Sequence, residues 1–155
     1  MAGDTEARLR RIEDRFAIAD LEADYAALWD FGDAEGWSRL YVEDGRFEIV
    51  EAGAMPAVKL VGRSELQAFC ADISKQWTGL HFMHPPRVDI GDGDAKSLIF
   101  FEFRHLRTGG DGHVRQGLVG GFYRTCYVRT MEGWRISSRV EHPVFENVSN
   151  SYNFR

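Results

Sequence analysis

A chain of 155 residues with a net charge of −5, 44% hydrophobic and 28% charged residues, has the size and balance of one globular domain that buries a core without metal or disulfides. The charge is spread and the basic residues form no phosphate-neutralising cluster, which excludes nucleic acid as a partner, and no apolar run approaches the ~20 residues of a membrane span. The opening MAGDTEARLRR has no apolar signal core, and Cys70 and Cys126 lie far apart outside any CxxC spacing, so the expectation is a reduced, cytoplasmic protein without membrane association.

In chain order, residues 5–30 read as a long first helix with Asp4 and Thr5 as N-caps. Leu9, Ile12, Phe16, Ala19, Ala23 and Ala26 recur at steps of three and four and read as its buried face; the next member of that series is Asp30. Tyr25, on the adjacent stripe Ile18, Leu21, Tyr25 and Leu28, adds a phenol at the same end. A carboxylate delivered into a core at a helix C-terminus is disfavoured by desolvation and by the helix dipole, so a cation or donor is expected opposite it. Phe31-Gly32-Asp33 breaks the helix, and residues 34–41 read as a second helix capped by Asp33 that buries Trp37, Leu40 and Tyr41. Residues 42–45 read as a turn, 46–50 and 58–61 as short strands around an irregular loop, and 64–74 as a helix capped by Ser64 with Leu66, Phe69, Cys70 and Ile73 on one face.

After Trp77 the pattern changes to four long runs with period two, 80–90, 95–106, 114–130 and 134–144, separated by tight-turn signals. The expected fold is α+β: three N-terminal helices packed on the concave face of a cone-shaped, strongly curved, mostly antiparallel sheet, with a ligand pocket between them. Gly117, Gly120 and Gly121, inside a strand pattern, mark where that sheet bends. The chain reads as a single domain over 1–155, with the polar tail 146–155 left open as a lid, an exchanged segment or a disordered end.

His81, near the start of the first long strand, is the natural partner of Asp30. A carboxylate bonded to one ring nitrogen fixes the tautomer and leaves the other nitrogen as a general base, while Tyr25 supplies a hydrogen bond or proton to a substrate oxygen. The bland alternative is an interior histidine satisfied by backbone. His81 and His84 are three apart on a strand, so they point to opposite faces, and Pro85-Pro86 forbids a helix there; no metal and no cofactor is expected. Trp29, Met83, Phe101, His105, Arg129 and His142 are the expected substrate contacts, for a small hydrophobic molecule. The chain has no nucleophile elbow and no nucleotide-binding glycine loop, and GDGD at 91–94 reads as a hairpin turn.

The order of elements, with YAALWDFGD early, GLHFMHPPRVDI in the middle and GGFY then EGWRISSRVEH late, resembles the SnoaL-like branch of the nuclear transport factor 2-like superfamily over residues 8–145. That fold serves enzymes, binding proteins and assembly subunits alike. Tyr25, Asp30 and His81 fall where the scytalone dehydratase and bile-acid dehydratase type carries Tyr, Asp and His, and the resemblance matches Arg129 to an arginine of the hexachlorocyclohexane dehydrochlorinase. The resemblance implies a cofactor-independent lyase performing β-elimination, either dehydration or loss of a small carbonyl fragment, on a bulky hydroxylated aromatic or polycyclic substrate. It also implies a homodimer or homotrimer joined on the sheet's convex face. One rival keeps the dyad but isomerises, or hydrolyses an epoxide through Arg129 or Arg139 with Glu141. The other is a non-catalytic ligand-binding or structural subunit, like the dioxygenase small subunit, in which Asp30 and His81 would not meet.

Overall fold

Alternation with period two builds the sheet. In the central strand β5 (Asp94–Thr108), Ala95, Ser97, Ile99, Phe101, Phe103 and His105 are buried, while Lys96, Phe100 and Arg104 are exposed. A computed structural model describes residues 2–149 other than 54 and 110. Its other elements are α1 (Ala2–Asp30), α2 (Ala34–Arg39), β1 (Tyr41–Ile49), β2 (Val58–Val61), α3 (Arg63–Gln76), β3 (Trp77–Met83), β4 (Arg87–Ile90), β6 (Val114–Thr130) and β7 (Gly133–Ser149). The strands form one open sheet in the order β2-β1-β7-β6-β5-β3, with β4 also on β5, and every pairing is antiparallel except the parallel β1 and β7. The helices pack against this curved sheet, and the fold is the α+β fold expected from sequence.

Curvature is concentrated where small residues permit it. The β6–β7 register shifts between Gly120 and Gly121, and a Cβ on Gly121 would stand 2.2 Å from the His142 carbonyl oxygen, so only glycine allows the two backbones to approach this closely. Gly32 stops α1: at φ 73° it takes the left-handed conformation that caps helices, with its own N–H donating to Trp29 O and Asp33 N–H to Leu28 O. That stop makes Asp30 the last residue of the helix.

Several boundaries differ from the sequence reading. α1 begins at Ala2, so Asp4 lies inside its first turn. α2 ends at Arg39, and 42–45 is strand rather than turn, because β1 continues through an irregularity between Tyr41 and Arg46 where its register on β7 shifts. α3 starts after Gly62, with no side-chain cap from Ser64, whereas Asp33 does cap α2 by accepting from Gly36 N–H at 2.8 Å. The expected strand 80–90 is two strands, interrupted at Pro85-Pro86, both paired to β5. β7 runs on to Ser149, so the first part of the tail 146–155 is strand; the rest lies outside the described residues.

The largest correction concerns α1. Leu9, Ile12 and Phe16, expected in the core, are 54%, 51% and 67% exposed. The buried face is instead Asp14, Ile18, Leu21, Glu22 and Tyr25. It contains two acids, and both meet donors from the sheet: Arg129 and Trp134 Nε1 donate to Asp14, and Arg139 and Tyr127 OH both donate to Glu22 Oε1, while Glu22 Oε2 has no hydrogen-bond partner among the described residues. Both cysteines are free thiols. Among the described residues no helix is long and apolar enough to cross a membrane.

Candidate active site

The end of α1 and the middle of β3 bring Asp30 and His81 together. His81 Nδ1 lies 2.6 Å from Asp30 Oδ1, and the His81 backbone N–H donates to Asp30 Oδ2 at 2.7 Å. Both side chains are buried, at 5% and 7% exposure. The ring stacks on Phe103 at 4.4 Å between centroids and meets the edges of Tyr25 and Trp29 at 6.4 and 6.3 Å. An aspartate that accepts from Nδ1–H assigns the imidazole one tautomer, leaving Nε2 as the nitrogen with a free lone pair.

Beside the dyad lies a cavity of about 760 Å³, roofed by Trp29 of α1 and Phe69 and Ile73 of α3 and floored by Phe101, Phe103 and Val119 of the sheet. This is the size of a pocket for a drug-sized organic ligand, with mostly aromatic and aliphatic walls. Four groups break the apolar lining near the floor: Tyr25, His81, Tyr123 and Glu141. Arg107, Arg115 and Glu146 line it as well. Arg107 pairs with Trp77 in the β3–β5 ladder, four registers along from His81 and Phe103.

Beneath the floor runs a polar network that sequence reading found only in fragments. The Arg139 side chain is fully buried, with its guanidinium 3.8 Å from the Tyr25 ring centroid and 4.8 Å from that of Tyr123. It donates to Glu22 and, through Nε, to Thr125 Oγ1 at 3.1 Å. Tyr127 OH donates to Glu22 at 2.6 Å and lies 2.6 Å from Ser97 Oγ. Burial is the largest single influence on Arg139 and opposes its charge, but Glu22 together with the surrounding Tyr25, Tyr41 and Tyr127 outweighs it and holds the guanidinium pKa above its ordinary value. Burial pushes the Tyr25 phenol well up, against the pull of Arg139, so Tyr25 is a neutral hydrogen-bond donor. Burial likewise raises Glu141 to about 7, which makes it a carboxylic acid that can hold or release a proton near neutrality.

Of the residues expected at the site, Tyr25, Trp29, His81 and Phe101 line the cavity; Asp30 stands behind His81. The other four are placed elsewhere. Met83 packs into the core beyond the cavity. His105 is 4% exposed beneath Trp77, stacked at 4.3 Å, and its burial lowers its pKa to about 4. His142 stacks on Phe122 at 4.7 Å, on a different face from the cavity. Arg129 binds Asp14 and covers Trp134, away from the cavity; Arg139 lies beneath the floor against the Tyr25 ring, and the arginines that line the cavity are Arg107 and Arg115. Glu22 was missed. Its signal was available: it is three residues before Tyr25, on the same face as Ile18, Leu21 and Tyr25, but the more apolar stripe masked it.

The family model of the SnoaL-like domain matches residues 10–140. No curated protein matches the chain. Among solved structures, an NTF2-like protein with a cystatin-like fold from Novosphingobium aromaticivorans is 28% identical, with 92% of this chain and 89% of that one covered and a TM-score of 0.69. A type 2 hexachlorocyclohexane dehydrochlorinase is 15% identical, covering 96% of this chain and 97% of its own, at a TM-score of 0.81. A provisionally assigned scytalone dehydratase from N. aromaticivorans is 20% identical, covering 97% and 93%, at 0.73. At those identities the last two are similar to this chain in fold alone.

Proposed function

Because this chain belongs to the SnoaL-like domain family, matched over residues 10–140, we propose that it is a cofactor-independent lyase that eliminates water, or a small carbonyl fragment, from a bulky hydroxylated aromatic or polycyclic substrate. The single observation carrying this reading is the buried Asp30–His81 pair at 2.6 Å, opening on a large apolar cavity. The dehydratase and dehydrochlorinase among its structural neighbours support elimination as the reaction class.

In the proposed dehydration, His81 Nε2 takes the proton from a carbon next to a substrate carbonyl or ring. The electron pair of that C–H bond forms the new C=C bond, and the C–O bond to the departing hydroxyl breaks. Tyr25 donates a hydrogen bond to the substrate oxygen, and Glu141 in its protonated form delivers the proton that releases water. His81 ends protonated and Glu141 ionised, and one proton passed between them through solvent restores both. Asp30 takes no proton; it orients the ring and stabilises the imidazolium. The apolar walls exclude water, which strengthens each of these interactions.

A second reading is favoured by one specific arrangement: Glu22 and Glu141 flank Arg139 below Tyr25, and two acids around an arginine suit activation of a water for epoxide opening. One assay separates the two. The protein is incubated with a panel of β-hydroxy ketones and hydroxylated polycycles, and with aryl epoxides, and followed by absorbance of the conjugated alkene and by mass. Alkene formation with loss of 18 Da, abolished by His81→Ala, supports elimination. Diol formation that survives His81→Ala but not Glu141→Gln establishes the alternative. Binding of these compounds with no turnover of either kind rejects both and leaves a ligand-binding role.

A further inference from the structure

α1 has two apolar faces, and only one is used. The domain covers Asp14, Ile18, Leu21, Glu22 and Tyr25. At ~100° per residue, Leu9, Ile12, Phe16, Ala19 and Ala23 lie on the opposite side of the helix, with their centre roughly 150° away. Their steps alternate three, four, three, four, the spacing of the a and d positions of a heptad repeat and narrower than the face of a globular helix. Residues 4–13 are all exposed, so the first turns of α1 stand clear of the sheet. A short helix without a partner is marginal in water, and this one carries half-exposed Leu9 and Ile12 and a more exposed Phe16 along a single line.

The charges beside that line specify what covers it. With Leu9 at a, the g positions are Arg8 and Arg15, and the e positions are Glu13 and Asp20. All four are exposed, and none makes an ion pair within its own chain among the described residues. In a parallel pair each g residue faces the e residue five positions on in its partner. Arg8 then meets the second copy's Glu13, and Arg15 meets its Asp20, twice over by symmetry. An antiparallel pair sets g against g and e against e, which opposes like charges. The buried faces point away from the seam, which places the two domains on opposite sides of the paired helices. The convex sheet face, which the family resemblance favoured for self-association, is the competing interface: Arg104 lies over Phe82 at 5.1 Å and Arg124 over Phe122 at 5.8 Å, yet Phe82 and Phe100 remain 51% and 55% exposed, and among the described residues no complementary charge ladder is laid beside them as it is beside the α1 seam.

We propose that the outer seam of α1 is a dimerisation surface whose partner is a second copy of this chain, joined in parallel through Leu9, Ile12 and Phe16 and held in register by Arg8–Glu13 and Arg15–Asp20 pairs. The proposal is independent of the reaction assigned to the cavity.

Analytical ultracentrifugation of the full chain over ~1–200 µM tests it. The expected result is a mass twice 17.7 kDa at the upper concentrations. Phe16→Glu returns the protein to monomer while it keeps its strand signal and a cooperative thermal transition, because Phe16 is 67% exposed and lies outside the core; only the stability linked to association is lost. Arg15→Glu weakens the dimer about tenfold, and Arg15→Glu with Asp20→Arg restores it, as each swapped charge again meets its opposite. Ile12→Cys gives a disulfide-linked dimer on mild oxidation, which requires equivalent residues to face each other. A monomer at every concentration overturns the proposal. So does an oligomer that survives Phe16→Glu but is lost in Phe100→Glu, which puts the interface on the convex sheet face, or a double charge swap that fails to restore the dimer.

Discussion

Asp30 holds His81 at two points, the ring Nδ1 at 2.6 Å and the backbone N–H at 2.7 Å, so one carboxylate fixes both the tautomer and the position of the imidazole relative to the strand. Asp30→Asn preserves the shape but places an amide where an acceptor is needed. If the lyase reading holds, turnover falls by about 10³-fold while KM moves little, since the apolar cavity that binds substrate is untouched. The melting temperature stays within a few degrees. An unchanged turnover in steady-state assays of this variant would remove the dyad from the mechanism.

Glu141 gives stability a pH dependence of a definite sign. Its pKa is raised from the ordinary 4.5 to about 7 in the folded protein, so the native state binds this proton more tightly than the unfolded chain does. The stability it contributes is therefore complete at low pH and is lost as pH rises from ~4.5 through ~7. His105 works the other way, because its pKa is lowered from 6.5 to about 4 and stability is lost as pH falls across that interval. The two slopes oppose each other in the wild type. Subtracting the urea-unfolding free energies of wild type from those of Glu141→Gln cancels His105, and the difference in favour of the variant should grow by about 3 kcal/mol between pH 4 and 8. A flat difference refutes the assigned Glu141 shift.

Arg139 and Glu22 are both fully desolvated, so each is harmful without the other. Arg139→Met leaves Glu22 buried with only the Tyr127 hydroxyl, at an expected cost of about 3–5 kcal/mol. Adding Glu22→Gln to that variant should recover more than half of the loss. Chemical denaturation of the two single variants and the double closes the cycle, and additive losses would show that the pair is uncoupled.

Arg129 offers a sharp contrast. It lies outside the cavity, where its 41%-exposed side chain pairs with the buried Asp14, which also accepts from Trp134 Nε1 at 3.1 Å. Arg129→Ala should leave turnover within about twofold and cost about 1–3 kcal/mol of stability, since Asp14 stays buried with only Trp134 Nε1 as donor. A large rise in KM for this variant would return Arg129 to the list of substrate contacts.

The chain's local pattern determined most of the architecture. Period-two alternation identified β5 and β6 almost to their ends, and β7 except for its last five residues, because the side chains of a strand alternate faces whatever the strand packs against. Tyr25, Asp30 and His81 were legible for a similar reason: an acid just before a glycine that stops a helix, and a histidine early in a strand, are local features. Their meeting was decided by the tertiary structure, and so was the orientation of α1. That helix offers two stripes, one apolar and one bearing Asp14 and Glu22, and burial by hydrophobicity alone selects the wrong one. The acidic stripe is buried because Arg129, Trp134, Tyr127 and Arg139 arrive from more than a hundred residues away to satisfy it. No window of sequence contains both halves of those bonds. Arg139 and Glu141 entered the sequence reading only through the epoxide alternative, since their strand reads as ordinary alternation until β7 is laid beside β1 and against Tyr25, where burial raises the Glu141 pKa to about 7.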